Sequence, residues 1–311
     1  MNDPVSREFL DVDHFREQLR GRDAPAIQIE PGRISIRFRY INLGGVIFSD
    51  NRVNRKVIDH SRIEPGWVYF IVNLSPAIFC GTEVNSGHLT VLNSGREYRS
   101  ILASNWHAIG IMIETSVLAE EGIWLPPHLL SGPEGASIPL PVELAGVFRR
   151  LAEAAFDRNE DGPVDKVWLR NALLLAVDRA LGIGARARGS AHPRSVINGC
   201  ELTLRMIRYV ESRYGQRITV NEIARELDVS ARALHYAARS TIAMSPLDLI
   251  LAFRLNHARN ELWDMRLSEP NVTRAALKQD FGHFGRFSQQ YRVLFGELPS
   301  QTLQRIRSLS D

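Results

Sequence analysis

Residues Asn271 to Thr302 read NVTRAALKQDFGHFGRFSQQYRVLFGELPSQT, and the fold of the last third of the chain turns on them. Ala275, Ala276 and Phe281 lead into a turn flanked by Gly282 and Gly285. Beyond it Phe287, Tyr291 and Phe295 recur at i, i+4 and i+8. That spacing sets the aromatics on one helical face and directs Arg286, Gln289, Gln290 and Val293 elsewhere. A short helix, a tight turn and a second helix with a polar outer face predict a helix-turn-helix.

The pattern occurs twice. Thr219 to Arg239 reads TVNEIARELDVSARALHYAAR, and Thr219 with Glu222 forms a capping box that starts a short helix. Ala224 to Asp228 and Ala276 to Asp280 make the same step from a small helical residue to a turn residue, and Val229 and Phe281 follow as matching apolar positions. Between the units Ser245 is an N-cap, Pro246 the first helical residue and Asp248 the third. A helix of roughly 20 residues spans roughly 30 Å, close to the repeat of about 34 Å between successive major-groove faces. The two units are therefore spaced to read adjacent grooves on one side of a duplex. In the first reader Arg232, His235 and Tyr236 share the outward side while Leu234 packs inward. In the second, His283, Phe284, Arg286, Gln289 and Gln290 are the DNA-binding candidates, with Phe287 and Tyr291 in the core. Arginine suits guanine edges and glutamine suits adenine.

From about Cys200 to Arg307 the chain resembles the tandem helix-turn-helix domain of the AraC/XylS family of bacterial transcription regulators. The resemblance rests on Ile223, Ala224, Leu227, Ser230, Leu234, Ser245, Pro246, Arg254, Leu255, Ala258, Leu262, Ala276, Phe281, Phe287, Ser288, Tyr291, Phe295, Gly296, Pro299 and Ser300. Asp228 and Asp280 stand where the family has Gly, Ala238 replaces an aromatic, Ala243 a Gly and Leu249 a Tyr. Tyr236 stands where an Arg often meets DNA, so the first unit is the less typical reader. The resemblance implies a cytoplasmic, sequence-specific DNA-binding regulator, by default an activator responding to a small molecule. Double-stranded DNA and RNA polymerase are the implied partners, and a homodimer through the helices at 141–181 is a further one.

A chain of 311 residues suits two domains. We read residues 1–185 as a sensor and oligomerisation domain, 186–199 as a linker and 200–311 as the DNA-binding domain. Residues 186–311 hold 19 Arg and Lys against 12 Asp and Glu, a balance of +7, whereas residues 1–185 hold 19 against 23, a balance of −4. The basic half attracts polyanions. Cys80 and Cys200 are far apart with no C-x-x-C, which indicates neither a disulfide framework nor a cysteine metal site. The opening residues do not read as a signal peptide, and no apolar run is long enough to cross a membrane as a helix. No phosphate-binding glycine loop, H-E-x-x-H or G-x-S-x-G occurs, so nothing indicates an enzyme or a cofactor. An effector-independent architectural DNA-binding protein is the alternative, and a cupin-type enzyme with an incidental DNA module a third reading.

The front of the chain predicts a short amphipathic helix over residues 5–20, then strands around residues 34–39, 67–72, 89–92 and 108–113. Turn signals at Asn42, Pro65, Asn73, Gly81 and Gly95 favour a barrel or a sandwich. The family resemblance selects a cupin-like β-barrel, for an α+β chain with an all-α C-terminal domain. His60, His88 and His107 are isolated, so no metal site is expected. Trp67, Tyr69 and Trp106 are candidates for an effector site, with Cys80 and His107 near them, although aromatics in strands also serve simply as core. Arg37, Arg39 and Arg55 either pair with an acidic ligand or sit on solvent-facing strand positions. Residues 122–140 predict a Pro- and Gly-rich loop, followed by helices from Pro141 and over 164–181. Val167, Trp168, Leu174, Leu175 and Ala176 form the apolar face of the second helix, with Trp168 and Leu175 as candidate dimer contacts. Gly182 to Ser195, GIGARARGSAHPRS, reads as linker.

Overall fold

A computed structural model of the chain describes residues 4–9, 26–130, 136–157, 164–186, 199–213, 215–263 and 271–310. The strands are β1 (Val5–Phe9), β2 (Ile27–Gln28), β3 (Ile36–Asn42), β4 (Val46–Val53), β5 (Val57–Arg62) and β6 (Trp67–Asn73). They continue with β7 (Ala77–Phe79), β8 (Thr82–Val84), β9 (His88–Leu92), β10 (Glu97–Leu102), β11 (Trp106–Glu114) and β12 (Ala136–Pro139). One sheet runs β1-β3-β4-β11-β6-β9-β12 and the other β2-β5-β10-β7-β8, with antiparallel pairing throughout. Ile36, Val53, Ile71, Phe79, Tyr98, Leu102 and Trp106 fill the space between the sheets.

The expected barrel does not form: the two sheets stay open, and no strand of one pairs with the other among the described residues. The outer edge of β2 meets the C-terminal domain instead of another strand. The Gln28 amide donates to Asn256 Oδ1 at 3.0 Å, and Asn256 Nδ2 donates to the Gln28 carbonyl at 2.8 Å. A side chain from the C-terminal domain thus takes the place a neighbouring strand would occupy. Ile27, Ile29, Ile58 and Ile101 bury into the core of that domain beside it.

Local expectations needed revision in several places. Val5–Phe9 is a strand rather than the start of a helix, because it pairs along β3 from Tyr40 to Ile36; residues 10–20 of that expectation lie outside the described residues. The 122–140 stretch is not all loop. It contains the short helix α2 (Pro127–Leu130), after α1 (Thr115–Glu120), and β12, which pairs with β9. Arg39 is not solvent-facing: it donates to Asp50 from Nε at 3.1 Å and Nη2 at 2.7 Å, and to Asp157 and the Phe156 carbonyl. Arg39 and His107 hold the buried Asp50 carboxyl down at about 2 against the opposing effect of desolvation.

The outer face of the larger sheet is covered by α3 (Val142–Phe156) and α4 (Lys166–Arg186). Leu144, Phe148, Leu151 and Ala155 of α3 face inward. In α4 the buried face is Leu169, Leu173, Leu174, Ala176 and Val177, whereas Val167, Trp168 and Leu175 are exposed. This is a further revision: an apolar count alone does not say which of two adjacent residues turns inward. The helix continues through Gly182 and Gly184 to Arg186, where Gly184 packs against Ile138 so closely that a Cβ would lie 2.6 Å from its Cδ1. The remaining linker residues, 187–198, lie outside the described residues.

Candidate nucleic-acid interface

Seven helices form the C-terminal domain among the described residues: α5 (Gly199–Ser212), α6 (Val220–Glu226), α7 (Ala231–Ile242), α8 (Pro246–Trp263), α9 (Val272–Lys278), α10 (Phe284–Phe295) and α11 (Pro299–Ser310). The capping box of α6 is complete. Thr219 Oγ1 accepts from the Glu222 amide at 3.2 Å, and Glu222 Oε2 accepts from the Thr219 amide at 2.7 Å. Ser230 caps α7 by accepting from the Ala233 amide, and Asn271 caps α9 through the Thr273 and Arg274 amides.

Asp228 and Asp280 both take left-handed geometry, with φ of 54° and 59°. Each lets the chain fold back at once: the Val229 amide donates to the Ala224 carbonyl at 2.9 Å, and the Phe281 amide to the Ala276 carbonyl at 3.0 Å. Aspartate tolerates this conformation better than most residues, so the turn forms without a glycine. An arginine from the supporting helix closes the end of each first helix. Arg205 Nη2 donates to the Leu227 carbonyl at 3.2 Å, and Arg254 donates to the Gln279 carbonyl from Nε at 2.8 Å and Nη2 at 2.5 Å. The Arg254 guanidinium also lies 4.4 Å from the Phe281 ring centroid.

The predicted readers fall on two matching helices. On α7, Leu234 is buried, Arg232 and Tyr236 are exposed, and His235 is half-buried. On α10 and its N-cap, His283, Phe284, Arg286 and Gln289 are exposed, Gln290 is half-buried, and Phe287, Tyr291 and Phe295 are core. Arg292 is exposed on α10 as well and Arg239 on α7; neither was singled out, although basic side chains in last turns are a readable signal.

Both helices end against the N-terminal sheet domain. Lys56 Nζ donates to the Ile242 carbonyl, the last of α7, at 3.1 Å. The Leu294 carbonyl near the end of α10 accepts from the Gly32 amide at 3.0 Å and from Gln28 Nε2 at 2.8 Å. Sequence reasoning could not have found these partners, which are separated by hundreds of residues and carry no local pattern.

A cavity of about 60 Å³ lies between the sheets, bordered by Ala26, Val57, Tyr69, Trp106, Asn51 and Asp59. It brings Tyr69 and Trp106 together; Trp67 packs on the inter-sheet core without lining it. Trp106 is buried, and its indole N–H has no hydrogen-bond partner among the described residues. Histidines at 60, 88 and 107 pair separately with Glu97, Ser137 and Asp50. Among the described residues no group of His, Cys, Asp or Glu is placed to hold a metal ion, and no helix is long and apolar enough to cross a membrane.

A helix-turn-helix domain family matches residues 223–305, the stretch from α6 into α11. The XylDLEGF operon transcriptional activator 3 of Pseudomonas putida is 34% identical over 107 residues, covering 34% of this chain and 32% of that protein. The C-terminal domain is related to the AraC/XylS regulators. The probable thc operon regulatory protein of Rhodococcus erythropolis is 31% identical over 98 residues, covering 32% of this chain and 30% of that protein. The chain thus spans about a third of the length of the curated relatives it matches. Among solved structures, a probable AraC family transcriptional regulator from Rhodopseudomonas palustris is 33% identical over 34% of this chain and 96% of its own, with a TM-score of 0.32.

Proposed function

We propose that the whole chain is a sequence-specific DNA-binding transcription regulator, an activator that responds to a small molecule in the cytoplasm. One observation carries the reading. The same capped, turned and arginine-closed helix pair occurs twice, and each second helix turns polar residues outward from a packed core. The basic balance of residues 186–311 favours a polyanionic partner. Arg232, His235 and Tyr236 then contact one stretch of duplex, and His283, Phe284, Arg286, Gln289 and Gln290 the next. Domain boundaries at 185 and 200 go with this division of labour, with RNA polymerase as the partner in activation.

The effector reading draws on the unpartnered Trp106 donor beside Tyr69 in the inter-sheet cavity. Exposed Val167, Trp168 and Leu175 on α4 support a homodimer surface. Footprinting the intact protein on DNA upstream of its own gene, across a salt series, tests the proposal. A narrow, saturable footprint whose affinity falls steeply with salt is expected. Uniform coverage without a boundary would instead support the architectural binder.

A further inference from the structure

We infer that the strand pair β2–β5 of the N-terminal sheet domain fixes the spacing of the two recognition helices, so that Lys56 determines which operator spacing the protein accepts. The inference rests on the proposed reading that α7 and α10 enter DNA.

The last carbonyls of any helix lack partners within it. Here the ends of both second helices are completed by two adjoining segments of the other domain: Ile242 by Lys56, and Leu294 by Gly32 and Gln28. These donors belong to one stiff unit. The Ile29 amide donates to the Lys56 carbonyl at 3.1 Å, and the Lys56 amide donates to Glu30 Oε2 at 2.6 Å. Gln28 is also fastened to Asn256 at the middle of α8, so the unit grips the connecting helix between its two holds. The approach at α10 is close: a Cβ on Gly296 would lie 3.0 Å from the Arg33 amide nitrogen. Among the described residues α8 runs from one unit to the other, and β2–β5 is a second strut braced against it. Ala26 and Val57, next to this strut, border the inter-sheet cavity, so a molecule entering there would press on both holds at once.

A measurement on the full-length protein separates positioning from contact. Operators chosen by in vitro selection with the wild type would be rebuilt with the second half-site displaced by one base pair either way, alongside a single half-site. Lys56→Met keeps the stem and removes the charged donor; Lys56→Arg restores it. The expected result is a loss of spacing discrimination of about tenfold in Lys56→Met, the equivalent of one charge-assisted hydrogen bond. Affinity for the single half-site should stay unchanged, and Lys56→Arg should recover the wild-type ratio. An unaltered ratio in Lys56→Met overturns the inference, as does an equal loss on single and double sites. Amide exchange at the end of α7 reads the hold without DNA. Faster exchange there in Lys56→Met, with no specific DNA selected by the wild type, upholds the strut and overturns the regulator reading alone.

Discussion

In the first helix-turn-helix unit the space behind α7 is filled by Leu234, Ala237, Ala238 and Ile242; in the second, behind α10, it is filled by Phe287, Tyr291, Leu294 and Phe295. The turns are nearly superimposable in their hydrogen bonding, yet the cores are built from different material. Behind α10 the rings of Phe281, Phe287, Tyr291 and Phe295 follow one another at centroid distances of 4.8, 5.7 and 4.5 Å. Tyr291 Oη meets Thr302 Oγ1 at 2.9 Å, and Glu297 accepts from Thr302 and Arg305 and pairs with Arg259. A helix-turn-helix is thus specified by its backbone turn and caps, while its rigidity is set separately by what packs behind it. The second unit is the one backed by a continuous aromatic core.

That contrast can be broken most directly at its cores. Phe287→Ala should destabilise the protein by about 3–5 kcal/mol, with both ring neighbours left facing a void. Leu234→Ala, in the aliphatic unit, should cost less, on the order of 2–3 kcal/mol. Denaturant unfolding of both variants gives the comparison, and an equal or larger loss for Leu234→Ala would remove the distinction between the units.

Acid should act from the second unit's side. Three residues beyond Arg254, burial pushes the His257 imidazole down to about 4, with Glu261 opposing the shift. Three residues beyond Arg205 the matching position is the exposed Arg208. A depressed histidine stays neutral in the fold while the unfolded chain takes up a proton below about 6.5. Its contribution is therefore present above that pH and is lost progressively down to about 4, by up to about 1.4 kcal/mol per pH unit. His257→Asn should flatten the fall in melting temperature over that window; an unchanged pH profile would assign the lability elsewhere.

The closing arginines should rank next. Arg254 makes two hydrogen bonds and a ring contact, so Arg254→Ala is expected to cost about 2 kcal/mol, against about 1 kcal/mol for Arg205→Ala with its single, longer bond. Thermal melts of the two variants check the order. The smallest effects belong to the ends of the second helices. Ala243 and Gly296 take the same left-handed position, at φ of 58° and 71°. Ala243→Gly should stabilise by up to about 1 kcal/mol, and Gly296→Ala should destabilise by about 1–2 kcal/mol. If both changes shift the melt in one direction, strain at these positions is not what separates the two helices.

Much of the C-terminal domain was legible because its signals are local. The Thr219–Glu222 box, the Ser230 cap and the i, i+4, i+8 aromatics each need only one or two turns of chain, and helical geometry does the rest. Even the departures could be read: Asp228 and Asp280 sit at the turns where the sequence places them, in left-handed geometry. The outward faces of α7 and α10 follow from the same periodicity. Val5–Phe9 defied it, because an amphipathic alternation over five residues fits a strand as well as a helix and the pairing with β3 settles the choice.

The amino-acid sequence by itself determined the duplicated helix pair, its capping and the strands around residues 67–72 and 108–113, since these depend on interactions a few residues apart. Only the tertiary structure decided whether the sheets close, which side of α4 is buried and where the recognition helices are held. Those outcomes depend on partners such as Gln28 and Asn256, 228 residues apart. A hydrogen bond across that distance leaves no periodicity in the chain, because its geometry is set by the packing of two cores and not by the residues beside it.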